Sequence, residues 1–125
     1  MRAVILAAGA GRRLRAVAGA APKCLVPIGG MPLLEWQLQA LEMCGAEEIT
    51  VVVGYQAEAI QAVCGARADF VYNPDFASTN SLYSLWLARH LLGNGCVILN
   101  SDVLFHPELL ARLLEAPHEL SLIHI

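Results

Sequence analysis

The chain opens with the stretch Met1-Arg-Ala-Val-Ile-Leu-Ala-Ala-Gly-Ala-Gly-Arg-Arg-Leu14. Its apolar run, Val4 to Ala8, is bounded by glycine, which is typical of a central strand in a parallel sheet. Basic side chains follow this run closely, whereas no carboxylate precedes Glu35. The pattern predicts a buried strand that ends in a cationic pocket suited to a compact polyanion, with a nucleoside triphosphate as the leading candidate. The basic residues concerned are Arg12, Arg13, Arg15 and Lys23.

Length and composition limit the class of protein. The 125 residues make one domain at most, and 57% hydrophobic against 15% charged residues fits a sheet covered on both faces. A net charge of −3 argues against nonspecific nucleic-acid binding, and no stretch approaches the ~18 apolar residues of a membrane span. The cysteines form no C-x-x-C pair, so we expect reduced thiols in a cytoplasmic protein, with Cys24 more exposed than the others.

Short strands alternate with helices along the rest of the chain. Further apolar or β-branched runs predict strands over Ile49 to Val53, Ala68 to Tyr72 and Cys96 to Leu99. Later helices are predicted over Gln56 to Val63, Ser81 to Leu92 and Pro107 to Glu115. This order predicts a three-layer α/β/α sandwich with a mostly parallel sheet, whose ligand site lies at the carboxyl ends of the strands.

The first helix is predicted to begin near Pro32 and to end before Gly45. Its apolar face is formed by leucines that recur at i, i+4 and i+7, namely Leu34, Leu38 and Leu41. The other face is predicted to carry the polar residues Glu35, Gln37, Gln39 and Glu42.

The glycine turn matches neither of two common phosphate-binding loops. The dinucleotide fingerprint needs a third glycine where this chain has Leu14, and a Walker loop needs Gly-Lys-Ser/Thr, which is absent. A NAD-binding dehydrogenase is therefore disfavoured. Gly9 and Gly11 still allow the backbone to approach an oxygen-rich ligand and to offer it N–H groups.

Two motifs together resemble the nucleotidyltransferase superfamily that activates sugar phosphates and related phosphate monoesters. Leu6 to Leu14 match its L-A-A-G-x-G-[ST]-R-[LM] pattern, with Arg12 in place of the usual small hydroxyl residue. Pro22 to Leu34 match its P-K-x-L-x-P-x-x-G-x-P-L-L pattern. The resemblance implies a Rossmann-like nucleotide-diphospho-sugar transferase fold of the GT-A type, truncated here because family members usually run longer.

The segment from Tyr72 to Ala88 is similar to one branch of that superfamily. Bacterial phosphocholine cytidylyltransferases and cytidylyltransferases for phosphonate analogues carry a comparable Asn-Pro … Thr-Asn-x-x-Tyr-Ser segment. The similarity implies CTP as the favoured nucleoside triphosphate, a small phosphate monoester or phosphonate as acceptor, and release of pyrophosphate. Two alternatives stay open: a sugar-1-phosphate nucleotidyltransferase using another base, and a non-catalytic relative that senses nucleotides or assembles with partners.

The resemblance also implies roles for single residues. Arg13 is expected to grip triphosphate oxygens, and Lys23 to neutralise charge that builds at the α-phosphate in the transition state. Asp102 is expected to hold Mg²⁺ at the end of the fourth strand, a place where an aspartate also suits a helix cap. The nucleotide is expected to lie on Leu6, Ala7, Ala8, Gly9, Ala10, Gly11, Arg12, Gly54 and Tyr55.

The helix after residue 80 is expected to face the acceptor. Asn80, Ser81 and Ser84 are the candidates, although capping alone explains Asn80 equally well. Tyr83 and Trp86 would suit a cation–π contact with a choline head group, but the helical stripe to which Trp86 belongs favours core packing.

The chain is predicted to consist of two parts. Residues 1–119 are expected to be the N-terminal part of a nucleotidyltransferase domain, and residues 120–125 a non-native tail. One codon choice for the last six residues spells a transposon end sequence used in preparing sequencing libraries, so we hypothesise a translated adapter.

Overall fold

The computed structural model describes residues 2–9, 22–76, 78, 81–91, 96–101, 108, 112 and 120–123. Within these ranges the strands are β1 (Arg2–Ala7), β2 (Pro27–Ile28), β3 (Met31–Pro32), β4 (Glu48–Val53), β5 (Asp69–Tyr72), β6 (Cys96–Asn100) and β7 (Leu120–Ile123). The α-helices are α1 (Leu33–Met43), α2 (Ala57–Cys64) and α3 (Ser81–Leu87). Short 3₁₀ turns cover Lys23–Leu25, Gly65–Arg67 and Arg89–Leu91.

Five strands form one parallel sheet in the order β5-β4-β1-β6-β7. β1 lies in the middle, where Leu6 is opposite Val52 of β4 on one side and Asn100 of β6 on the other. The chain first builds outward from β1 through β4 to β5, and then crosses back to add β6 on the other side. Ligands of open α/β sheets bind at such a reversal of strand order, which here lies at the carboxyl ends of β1 and β6.

Both faces of the sheet are buried, which confirms the predicted layered fold with a parallel sheet. Ala3, Ile5 and Ala7 pack on one face with the leucines of α1 and with Ile60 of α2. Val4 and Leu6 point to the opposite face and pack in a second cluster with Ala88 and Ile98. This alternation follows from the two-residue period of a strand, and it explains why β1 is apolar at every position after Arg2.

The polar face assigned to α1 is wrong at one position. Gln37 is only 1% exposed, whereas the sequence prediction placed it with the solvent-facing residues of the helix. The reason is geometric: Gln37 lies three residues after Leu34 and four before Leu41, and such spacings share one face of a helix. Position, rather than side-chain polarity, decided its burial.

A small hairpin that the sequence did not predict joins the first motif region to α1. β2 and β3 pair antiparallel, and Gly29 and Gly30 connect them with φ angles of +62° and +82°. Two consecutive positive φ angles are the requirement of a type I′ turn, which glycine meets without a Cβ penalty. The strands have two residues each, too short for an alternating pattern to be visible in the sequence.

The second half of the chain departs from prediction in small ways. α3 ends at Leu87 rather than Leu92, because the N–H of Ala88 is shared between the carbonyls of Ser84 (3.3 Å) and Leu85 (3.1 Å) and the chain tightens into a 3₁₀ turn. The helix predicted over 107–115 lies outside the described residues, apart from Glu108 and Arg112, which are helical. Among the helices in the described ranges, none combines the length and apolar character needed to cross a bilayer.

Residues 120–123 form the edge strand β7, which runs parallel to β6 and pairs Leu120 with Cys96 and Ile123 with Leu99. A short apolar segment can satisfy its backbone groups at an open strand edge whatever its origin. The non-native origin of residues 120–125 therefore stays a prediction, which the codons at the gene's source locus will test.

Candidate functional site

The carboxyl ends of β1 and β4 are joined at the rim of the sheet. The N–H of Tyr55, just past β4, donates to the carbonyl of Ala8 at 3.1 Å. Leu6, Ala7 and Ala8 are buried, whereas Gly9 is exposed, and a Cβ added at Gly9 would meet no described atom within 4 Å. The backbone therefore passes from the core to an open surface at Gly9, where a ligand can approach the main chain closely.

Gly54 has a packing role beside the same rim. A Cβ at this position would lie 2.6 Å from the Cβ of Phe76 and 3.0 Å from the carbonyl oxygen of Ala8. The Phe76 ring also contacts the Tyr55 ring, with centroids 6.0 Å apart and planes tilted by 57°. The loop after β5 thus folds over the end of β4 and partly covers Tyr55, which remains half-buried.

A buried polar pair holds that loop against α3. Asn73 is 1% exposed and Ser84 is 3% exposed, and Nδ2 of Asn73 donates to the Ser84 hydroxyl at 3.2 Å. The side-chain oxygen Oδ1 of Asn73 accepts a hydrogen bond from the backbone N–H of Asp75. The backbone N–H of Asn73 donates to the carbonyl of Val53 at 2.8 Å. Asparagine commonly closes a turn in this way. Ser84 is thereby turned toward the protein, and its predicted acceptor role stays a prediction.

The end of β6 is the third element of the rim. The N–H of Ser101 donates to the carbonyl of Leu6 at 3.2 Å, and Nε2 of Gln37 donates to the carbonyl of Asn100 at 2.9 Å. Hydrogen bonds therefore connect the backbone at the end of β6 to both β1 and α1. Among the residues that the structure describes, no three His, Cys, Asp or Glu side chains gather to hold a metal ion.

Lys23 lies in a 3₁₀ turn closed by the N–H of Leu25, which donates to the carbonyl of Pro22 at 3.0 Å. The next residue, Cys24, is 1% exposed and packs with the leucines of α1, so the expectation of an exposed thiol is wrong. Burial raises the pKa of this thiol to about 12, which keeps it protonated at neutral pH. The buried neighbour anchors the backbone from which Lys23 extends.

The hairpin that follows is anchored to α1. Nε1 of Trp36 donates to the carbonyl of Ile28 at 2.7 Å, and the N–H of Leu33 donates to the carbonyl of Val26 at 3.1 Å. The prolines and glycines of the second motif are therefore accounted for by a compact turn between the Lys23 segment and α1. This turn fixes the path of the chain next to the site without using a charged side chain.

Several predicted site residues, or their side chains, lie outside the part of the chain that the structure describes. Ser81 opens α3, but its side chain is not described, and the same holds for the side chain of Lys23. Their expected contacts with ligand stay predictions. The predicted residues outside the described ranges are Ala10, Gly11, Arg12, Arg13, Arg15, Asn80 and Asp102.

Residues 3–122 match the family model of the MobA-like NTP transferase domain. The chain belongs to this family. It is 40% identical over 122 residues to the CMP-5'-(3-aminopropyl)phosphonate synthase of Streptomyces rubellomurinus, a match that covers 94% of this chain and 19% of that protein. It is 39% identical over 108 residues to the choline-phosphate cytidylyltransferase of Streptococcus pneumoniae, covering 84% of this chain and 46% of that protein.

A solved structure supports the same assignment. The CTP:phosphocholine cytidylyltransferase structure from Streptococcus pneumoniae superposes with a TM-score of 0.75 and 33% sequence identity. The match covers 86% of this chain and 49% of that chain. The resemblance inferred from the sequence motifs is thus confirmed, and the chain spans about half the length, or less, of these relatives.

The structure of this NTP transferase domain corrects the packing predicted for Trp86. The Trp86 side chain is 53% exposed and is not part of the core. The Tyr83 ring stacks with it at 5.9 Å between centroids, and the guanidinium of Arg89 lies 3.7 Å from the ring centroid. A cation–π contact is therefore present, but the chain's own arginine makes it.

Sequence reasoning missed three residues that shape the rim. Gln37 was assigned to solvent, and neither Asn73 nor Phe76 was given a role. The motif segment that begins at Tyr72 contains both of the latter, so its similarity to cytidylyltransferases was a signal for them. For Gln37, the only available signal was its place on the leucine face of α1.

Proposed function

We propose that the protein transfers a nucleoside monophosphate from a nucleoside triphosphate to a phosphate monoester or phosphonate, with release of pyrophosphate. The observation that carries this proposal is the rim geometry. The exposed Gly9 backbone follows a buried strand at the reversal of strand order and is tied through Ala8 to Tyr55. Backbone N–H groups at such an exposed place suit a polyphosphate.

CTP is the favoured nucleotide, and a phosphocholine-like or phosphonate compound is the favoured acceptor. This preference is supported by the relatives of the chain, which include a choline-phosphate cytidylyltransferase and a CMP-5'-(3-aminopropyl)phosphonate synthase. The exposed Trp86 is not assigned to the acceptor, because Tyr83 and Arg89 already pack against its ring. All four cysteines are free, which fits the proposed cytoplasmic location.

The reaction needs charge neutralisation and alignment more than covalent chemistry by the protein. An acceptor oxygen forms a bond to the α-phosphorus while the bond from that phosphorus to the bridging β-oxygen breaks, and pyrophosphate leaves with the bridging oxygen. We assign Arg13 to the triphosphate oxygens and Lys23 to the charge that develops at the α-phosphate. Leu6 to Arg12, Gly54 and Tyr55 are assigned to nucleotide binding.

We assign Asp102 to Mg²⁺. Asp102 comes two residues after Asn100, where β6 ends, and a carboxylate that follows the carboxyl end of a strand suits this cation when substrate phosphates complete its coordination. A bound Mg²⁺ would supply a positive charge that stabilises the pentacoordinate transition state. Asn80 and Ser81 are assigned to the acceptor side.

The test is pyrophosphate release by the whole protein encoded at the gene. The four nucleoside triphosphates are each combined with phosphocholine, 3-aminopropylphosphonate and a panel of sugar 1-phosphates, in the presence of Mg²⁺. We expect release with CTP and one of the first two acceptors. Release only with a sugar 1-phosphate would replace the proposed acceptor, and no release with any pair would favour a non-catalytic nucleotide sensor.

A further inference from the structure

The segment that follows β5 folds back over the end of β4 and is held there by hydrogen bonds. The backbone N–H of Asn73 donates to the carbonyl of Val53 at 2.8 Å. Within the segment, the N–H of Asp75 donates to Oδ1 of Asn73 at 2.9 Å, and the N–H of Ser78 donates to the carbonyl of Asp75 at 3.1 Å. The backbone is therefore fixed on both sides of Phe76, and the ring of that residue is brought to the rim in a defined place.

The Phe76 side chain joins the core of the sheet to the rim. It packs against the second buried cluster, which includes Leu6 and Ala8 at the end of β1. Its Cβ is where a Cβ added at Gly54 would approach within 2.6 Å, and its ring lies 6.0 Å from the Tyr55 ring between centroids. One half-buried phenylalanine thus contacts the ends of both strands that the proposed nucleotide site uses.

Gly54 lies in the junction between the carboxyl ends of β1 and β4. A Cβ there would be 3.0 Å from the carbonyl oxygen of Ala8, the same carbonyl that accepts the N–H of Tyr55 at 3.1 Å. Phe76, Gly54 and Ala8 are therefore in tight contact. Because closely packed groups do not move independently, loss of the Phe76 ring frees Gly54 and Tyr55 to move relative to Ala8.

We propose that Phe76 is a positioning residue for the nucleotide: its packing holds Gly54 and Tyr55 against Ala8, and so keeps the exposed Gly9 backbone in the arrangement that receives the polyphosphate. This inference rests on the proposed function, in which these rim residues bind the nucleotide. A site that is ordered before its ligand arrives loses less conformational entropy on binding. Without the ring, the same backbone groups reach the competent arrangement only part of the time, and affinity falls in proportion.

The test compares Phe76→Leu with Phe70→Leu in the whole protein encoded at the gene. Phe70 is also half-buried, but it packs against the first cluster, which includes Ile5 and Val51 on the opposite face of the sheet. The control therefore removes a ring of the same kind away from the proposed contact. Phe76→Met is a second replacement without a ring, and Phe76→Tyr restores the ring.

Three quantities are measured on each variant. Calorimetry gives the Kd for CTP with Mg²⁺ present and the acceptor absent. Steady-state pyrophosphate release gives KM for CTP and kcat separately, and hydrogen exchange of the peptide that contains Tyr55 reports on its N–H bond to Ala8. Thermal unfolding verifies that each variant is folded. A residue that only stabilises the fold would not change nucleotide affinity in a folded variant, so these readouts separate positioning from stability.

We expect Phe76→Leu and Phe76→Met to bind CTP at least about 3-fold more weakly, as when the competent arrangement is populated about a third of the time. KM for CTP should rise by the same factor with kcat nearly unchanged, because the contact acts on binding of the ground state and the transition state alike. The Tyr55 peptide should exchange faster in both. Phe76→Tyr and Phe70→Leu should bind CTP as the wild type does.

Unchanged CTP affinity in the folded Phe76 variants, or an equal loss in Phe70→Leu, would overturn the inference. If Phe76→Leu and Phe76→Met both fail to fold while Phe70→Leu folds, Phe76 is a core residue only, which overturns it as well. Nucleotide binding needs no acceptor and no turnover. Failure of the proposed function is therefore recognised separately, as absent pyrophosphate release by a wild type that binds CTP, and a wild type that binds no nucleoside triphosphate would overturn both.

Discussion

Phe76 packs against Gly54 so closely that a Cβ at position 54 would lie 2.6 Å from the Phe76 Cβ. The contact sets how the loop after β5 covers the end of β4, and with it the exposure of Tyr55. On the other side, the carbonyl of Ala8 would be 3.0 Å from the same Cβ. A residue with a side chain therefore cannot be accommodated at position 54 unless the loop or β1 shifts.

We expect Gly54→Ala to lower the free energy of unfolding by about 1–3 kcal/mol, the usual cost of overpacking a tight site. The measurement is urea unfolding of the variant beside the wild type. Gly9→Ala is the matched control, because a Cβ there meets no described atom within 4 Å and should leave stability nearly unchanged. Equal free energies of unfolding for Gly54→Ala and Gly9→Ala would show that the loop shifts to accommodate the new Cβ without a loss of stability.

The Asn73–Ser84 hydrogen bond should stabilise the fold measurably. Both side chains are buried, so Asn73→Ala leaves the Ser84 hydroxyl without the Asn73 amide and opens the turn at Asp75. We expect a loss of about 1–3 kcal/mol for Asn73→Ala, because a buried polar group loses its partner. A double-mutant cycle with Ser84→Ala isolates the pair, and its coupling should be about 0.5–1.5 kcal/mol.

Ser78→Ala is the control for this cycle. Ser78 is exposed and its hydroxyl donates to the carbonyl of Asp75 at 3.4 Å, so its removal should change stability by less than about 0.5 kcal/mol. A coupling near zero between positions 73 and 84 would mean that the two side chains contribute independently, and that α3 is held by apolar packing alone.

The elements that the sequence predicted well are those whose side chains carry a periodic signal. β1, β4, β5 and β6 are apolar runs, and all were predicted within two residues of their observed ends. The hairpin of β2 and β3 escaped prediction because two-residue strands are too short to show a period, although the Gly29-Gly30 pair is typical of such a turn.

At the site, the contacts between distant parts of the chain could not be predicted from the sequence. The bond from Gln37 to Asn100 joins residues 63 positions apart, and that from Asn73 to Ser84 joins residues 11 apart. Nothing in a single sequence reports such a pairing, because each residue type is also common on the surface. Trp86 was misjudged for a related reason, since a stripe predicts which residues share a face but not that Arg89 covers the ring.

Stability should depend on pH through one ion pair between α1 and the turn after α2. Arg67 donates through both terminal nitrogens to Glu35, at 2.6 and 2.8 Å, and this hydrogen bonding holds the pKa of Glu35 below its usual value of 4.5. A carboxyl whose pKa is lower in the folded state stabilises the fold above its unfolded pKa, and that contribution is lost as the pH falls through the folded pKa.

We therefore expect Glu35→Gln to reduce stability at pH 7 by about 1 kcal/mol or less, since the pair is partly solvated, and to differ little from the wild type well below pH 4. Urea unfolding at both pH values measures this. Glu42→Gln is the control, because Glu42 contacts Arg67 only at 3.5 Å and should have a smaller effect. If Glu35→Gln loses as much free energy of unfolding in acid as at pH 7, the loss comes from packing rather than from charge.

Two residues should separate catalysis from folding most clearly. Lys23 is anchored by the buried Cys24, and Asp102 follows the strand end tied to Leu6 and Gln37. In an active protein, Lys23→Ala and Asp102→Ala should each lower kcat at least ~100-fold, comparable to the loss of one transition-state contact.

Arg89→Ala is the control: it removes an exposed cation that lies on Trp86, and should leave kcat within about 2-fold, as expected for a surface change. Pyrophosphate release at saturating CTP, acceptor and Mg²⁺ gives kcat, and thermal unfolding verifies that each variant is folded. Near-normal turnover in Lys23→Ala or Asp102→Ala would remove that residue from the chemistry.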